Sequence, residues 1–233
     1  MRIKIFEINL TTTAIMLIVL SLFGCSDSSS SRSAYLISVT NLTNNQPLSP
    51  PAFILHEKEY AAWQIGTSAS AGLEELAESG DPGPFLAEAA DNMHVLATSQ
   101  GSSVIGPGNS ENVEIEIKRN SDTHLSFVSM LVNTNDAMAG LLDASIGSLG
   151  RNESITLYGR SYDAGTEVNS ETAESVPGPA AGGEGFNPER NDTGFVAAHS
   201  GVVTAADGLQ ASALDESHRW QNPVVRLTVT RTK

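Results

Sequence analysis

Thr123-His-Leu-Ser-Phe-Val-Ser-Met-Leu-Val-Asn-Thr-Asn-Asp136 is the stretch whose reading decides the fold. Leu125, Phe127, Val128, Met130, Leu131 and Val132 make it almost continuously apolar, the pattern of a central strand covered on both faces. It feeds straight into an acidic turn, Asn133 to Gly140. Further on, Ser154-Ile-Thr-Leu-Tyr158 reads as another strand and feeds a second acidic turn, Tyr162-Asp-Ala-Gly-Thr-Glu167. The two turns would project Asp136, Asp163 and Glu167 from one edge of a sheet, and neither turn contains a basic residue. Carboxylates gathered in this way raise one another's pKa and need a positive partner at neutral pH. A hard cation with oxygen ligands, calcium first, is the simplest such partner, and Gly165 allows the tight backbone that Asp163 and Glu167 need to face one ion.

Outward from this stretch, period-two alternation recurs. Tyr35, Ile37 and Val39 alternate with Leu36, Ser38 and Thr40, Val113, Ile115 and Ile117 with Glu114, Glu116 and Lys118, and Val225, Leu227 and Val229 with Arg226, Thr228 and Thr230. Ala52 to Leu55 is a shorter apolar run after Pro50-Pro51, and Gly194 to His199 a further short strand. Helix formers are concentrated in Ala71 to Ser79, which stops at Gly80, and in Phe85 to Ala90 after Asp81-Pro82. Residues 168–194 have no periodicity and form a long loop, a class of segment that is usually functional or mobile. Seven or eight strands with two minor helices set on one side of a sheet predict an all-β, antiparallel β-sandwich.

The chain starts with Arg2 and Lys4 followed by an apolar run, Ala14 to Phe23, which is short for a bilayer span and suits an export signal over residues 1–24. Leu22-Phe-Gly-Cys25 resembles a bacterial lipobox, which makes Cys25, the only cysteine, the expected lipid attachment site. Serine-rich residues 25–33 read as a flexible tether, and residues 34–233 as one globular domain. Processing removes Arg2, Lys4 and Glu7, so that 11 of 13 basic and 26 of 27 acidic residues remain, a net charge of −15. Nucleic acid and anionic lipid headgroups are repelled by such a surface. The expected membrane contact is therefore the lipid anchor alone, at the cell envelope and, with Ser26 after the cysteine, at the outer membrane.

With these elements in place, the sequence resembles the spondin domain, a module of the extracellular matrix protein F-spondin that also occurs alone in bacterial lipoproteins. The resemblance is carried by Tyr35-Leu-Ile-Ser-Val-Thr-Asn-Leu-Thr with Pro50-Pro51, by Met130-Leu-Val-Asn-Thr-Asn-Asp136 with Gly140, by Tyr162-Asp-Ala-Gly-Thr-Glu167, and by Arg219-Trp-Gln-Asn-Pro-Val-Val-Arg226. It implies a sandwich similar to C2 domains with one calcium at its loop end, and places the family's acidic ligands on Asp136, Asp163 and Glu167. An aspartate stands at the last position in the animal proteins. Relatives also carry cysteines near residues 171–185, where this chain has Ser175 and Ala180-Ala181.

The function this implies is a non-enzymatic, calcium-binding module that meets a surface protein or a polysaccharide. A metal-dependent hydrolase at the same acidic edge, with His199 as its base, is the alternative, and a purely structural envelope role is a third. The five histidines lack the spacing of a helical zinc motif, and neither Gly-x-Ser-x-Gly nor a phosphate loop occurs.

Overall fold

A computed structural model describes residues 31–233. The export signal over 1–24, Cys25 and most of the serine-rich tether therefore lie outside the described residues. Nine strands and two α-helices follow in the order β1 (Arg32–Asn41), β2 (Ala52–His56), α1 (Ala71–Ser79), α2 (Gly83–Ala90), β3 (Val95–Gln100), β4 (Ser110–Lys118), β5 (His124–Met130), β6 (Ala137–Ser145), β7 (Ser154–Asp163), β8 (Ala197–Ala198) and β9 (Val225–Arg231). All pairings are antiparallel, along the path β3-β2-β5-β6-β7-β9-β1-β4 with β8 beside β7.

The path folds into a sandwich because β7 serves both layers. Its first half, Ser154 to Gly159, pairs with β9, and its second half, Arg160 to Asp163, pairs with β6. The end strands β3 and β4 then come to lie against each other, so the sandwich approaches a barrel. Phe53, Leu55, Leu125 and Phe127 from one layer meet Tyr35, Ile37, Leu227 and Val229 from the other. Each such side chain contributes about 1.5–3 kcal/mol when fully buried. A core of this size holds the domain with no cysteine available among the described residues.

The alternate face of β2, β5 and β6 is also covered. Ala52, Ile54, Val128 and Met138 pack against Leu73, Leu76 and Ala77 of α1 and Phe85 and Ala89 of α2. Ser70 starts α1 by accepting the Leu73 N–H, and Gly80 ends it in the left-handed conformation (φ 76°), returning its N–H to the Leu76 carbonyl. No helix among the described residues is long and apolar enough to cross a membrane.

The predicted sandwich, with its helices on one side of a sheet, is what forms. Two strands depart from the sequence expectation. β6, read as part of an acidic turn, begins with four small or apolar residues that are all buried, Ala137 to Gly140, and Gly140 lies directly under the Trp63 ring, so no alternation marks its start. β3 is half-buried along most of its length and likewise carries no period-two signal.

Candidate metal centre at the loop end of the sandwich

Strand register brings the two acidic turns together. Ala137 opens β6 directly opposite Asp163, the last residue of β7, so Asp136 and Asp163 stand side by side where the two strands end. The Ala164 N–H closes the corner on the Asp136 carbonyl at 3.3 Å. Asp136 is fully buried. Its Oδ2 accepts the Thr166 N–H at 2.8 Å, the Thr166 hydroxyl at 3.2 Å and the Glu167 N–H at 3.2 Å. Its Oδ1 has no partner. Asp163 Oδ1 accepts the Gly165 N–H and Oδ2 the Asn169 amide, at 2.8 and 2.7 Å.

A third carboxylate completes the group. Single oxygens of Asp136, Asp163 and Asp192 all lie within 4.8 Å of one another. Asp192 sits in the long loop, whose end is laid along the second acidic turn: the Asn191 N–H donates to the Thr166 carbonyl, the Gly194 N–H to the Gly165 carbonyl, and the Val168 N–H to the Asn191 side chain. The sequence singled out the loop but gave no signal for Asp192 itself, because only the fold brings it to Asp136. Glu167 is placed differently from the other predicted acids. It shares the site through its backbone N–H, while its carboxylate accepts the Asn135 amide at 3.1 Å and leaves Oε2 buried without a partner.

The electrostatics follow from burial. Burial, with Asp163 next to it, pushes the Asp136 carboxyl up to about 7 against three hydrogen bonds that favour its charged form. Burial likewise raises Glu167 to about 7, with Glu78 and Glu184 adding to the effect and Asn135 opposing it. Three grouped carboxylates, one of them with a buried, partnerless oxygen, make a hard-oxygen environment, the donor set that fits calcium or a similar cation.

The segment Asn133 to Asp136 also stitches the surrounding loops. Asn133 accepts the Ala180 N–H and donates to the Asn45 carbonyl, and Asn135 accepts the Glu171 N–H. All four residues are buried. His199 is 3.8 Å from Asp163 Oδ2 but is committed elsewhere: Nδ1 accepts the Gly201 N–H and Nε2 lies 3.2 Å from Asn169 Oδ1. Its Nδ1 lone pair is thus occupied, and burial lowers its pKa.

Glu171 gives a test of this polar loop core. It is buried, with Oε1 on the Val203 N–H and Oε2 without a partner, and burial raises its pKa to about 7. The folded protein therefore holds a proton on Glu171 over a pH range in which the unfolded chain has lost it. Stability falls as pH rises from the ordinary carboxyl range to about 7, with the full penalty above that. Glu171→Gln is expected to flatten this slope and to add roughly 1–2 kcal/mol at about pH 8, read from urea melts in chelator at several pH values.

Glu57, Glu59 and His94 form a second group within the same 4.8 Å limit, but both Glu57 oxygens already have protein partners, His94 and Asn120.

Comparison with known proteins adds one match. The family model Spondin_N covers residues 47–180, more than half of the chain, including Asp136, Asp163 and Glu167 and ending before Asp192. A search among curated proteins finds no match.

Proposed function

The chain belongs to the Spondin_N family, and on that footing we propose that it is a non-enzymatic extracellular binding module whose loop end is ordered by calcium held among Asp136, Asp163 and Asp192. The observation that carries this reading is the orphaned, fully buried Oδ1 of Asp136 in a group of three carboxylates with no basic member. Glu167, the residue the family resemblance implies as a ligand, lies outside this group of three: it meets Asp136 through its backbone N–H, and its carboxylate accepts the Asn135 amide. An ion there would offset the mutual repulsion of the acids and fix the two turns and the long loop in one arrangement, which suits presentation of a surface to a partner.

The hydrolase alternative has less support, because His199, the histidine near the acids among the described residues, has both ring nitrogens engaged. The module is proposed to act at the cell envelope, tethered through Cys25, with a surface protein or a polysaccharide as its partner. Capture on arrays of envelope polysaccharides and surface proteins, run with calcium and with chelator, tests this. Calcium-dependent retention is expected, and it should be lost in Asp163→Asn. Retention that ignores chelator, or hydrolysis of the arrayed ligands, would count against it.

A further inference from the structure

Of the three grouped carboxylates, two are fixed by strand pairing and the third is not. Asp136 immediately precedes β6 and Asp163 ends β7, whereas Asp192 lies in irregular chain that must be held in place against the repulsion of the other two. The hold comes from helix α1. Arg190, two residues before Asp192, is forked onto Glu74: Nε donates to Oε1 at 2.9 Å and Nη2 to Oε2 at 2.5 Å. The Glu74 side chain is only 7% exposed, so this pair is largely shielded from solvent. One helical turn further, Glu78 Oε2 accepts the Asn187 N–H at 2.9 Å. Two carboxylates on one face of α1 thus grip the loop at Asn187 and Arg190, and the Asn191 contacts carry the hold on to the Thr166 backbone.

The charge balance is as telling as the distances. Arg190 is the basic residue nearest to Asp192 along the chain, and Glu74 takes both arms of its guanidinium. Its charge is answered by Glu74 of α1. The orphaned and fully buried Asp136 Oδ1 in that group is the independent sign that a cation belongs there.

We infer that Glu74 and Arg190 are positioning residues that hold Asp192 in the cation site, so that the site spans three elements and helix α1 sets its affinity. This rests on the calcium reading above. Coupling is reciprocal: a latch that favours the closed loop raises calcium affinity, and calcium in turn protects the closed loop.

Calcium calorimetry and amide hydrogen exchange on the full chain test the inference. Arg190→Gln and Glu74→Gln should each weaken calcium by about tenfold, a typical coupling, whereas Arg190→Lys, which keeps the charge, should recover part of the loss. In chelator, amides over 187–194 should lose protection in Arg190→Gln while those of β5 and β6 keep theirs. Calcium binding by the wild type with an unchanged Arg190→Gln titration overturns this inference alone, as does unchanged loop protection in chelator. A wild type that takes no calcium overturns the calcium reading with it.

Discussion

Asp136→Asn is expected to move stability in opposite directions with and without calcium. In chelator the variant should melt higher than wild type. The amide keeps an oxygen for the Thr166 and Glu167 N–H groups and replaces the orphaned Oδ1 with a neutral donor in a group that otherwise holds only carboxylates. Removing a buried charge and its repulsion is worth about 1 kcal/mol here, or roughly 2–4 °C for a domain of this size. With calcium the order should reverse. Wild type gains by mass action on the folded state, while the variant, short of its most buried charged ligand, loses affinity by about a hundredfold or more. Thermal melts in the two conditions give the four values needed. A variant that is destabilised in chelator and still responds to calcium would show that Asp136 is a structural cap on the Thr166 turn and nothing more.

Gly165→Ala should be the most damaging small substitution at the site. Gly165 sits at φ 70°, and an added Cβ would fall 2.2 Å from the Phe195 carbonyl oxygen and 2.8 Å from Thr193 Oγ1. The left-handed conformation alone costs an alanine about 1–2 kcal/mol. The clash is with backbone, so residues 193–195 must also move away, breaking the Gly194 N–H bond to the Gly165 carbonyl and displacing Asp192. A loss of about 3 kcal/mol or more, a drop of roughly 6–12 °C, is expected together with loss of the calcium response. Gly66→Ala is the control. Its φ of 84° imposes the same conformational strain, but nothing lies within 4 Å of the added Cβ. It should show the smaller, strain-only loss and keep the calcium response. Equal damage at both positions would mean that the approach of the Phe195 backbone to Gly165 does not matter.

What the sequence could and could not reveal follows from how each residue is placed. β1, β4 and β9 each have one covered and one more open face and alternate visibly, and β5 declares itself by the nearly continuous apolar run that it opens. The α1 boundaries could be read from Gly80, whose left-handed cap needs no side chain. β6 and β3 were hidden, the first because its opening residues, Ala137 to Gly140, are all buried and carry no period and the second because most of its length is equally half-buried.

The site divides in the same way. Asp136 and Asp163 were legible because each ends a strand-like run, and the pairing of β6 with β7 makes them neighbours. Glu167 follows Asp163 by one tight turn, yet the direction of its carboxylate depends on Asn135 across the corner. Asp192 was out of reach for local reasoning, since its place depends on contacts with β-turn residues 165–168 and on Glu74, 116 residues from Arg190. Long-range placement of a loop by a helix leaves no period or motif in the chain.

The central claim is that the grouped carboxylates hold a hard cation, and calcium titration calorimetry of the wild-type protein beside Asp136→Asn tests it most directly. One calcium per chain is predicted for the wild type, with an affinity in the range of about 10⁻⁷ to 10⁻³ M found for sensor and extracellular sites, and binding weaker by about a hundredfold or more is predicted for the variant. Absence of binding heat in the wild type at millimolar calcium, or identical isotherms for the two proteins, would contradict the account.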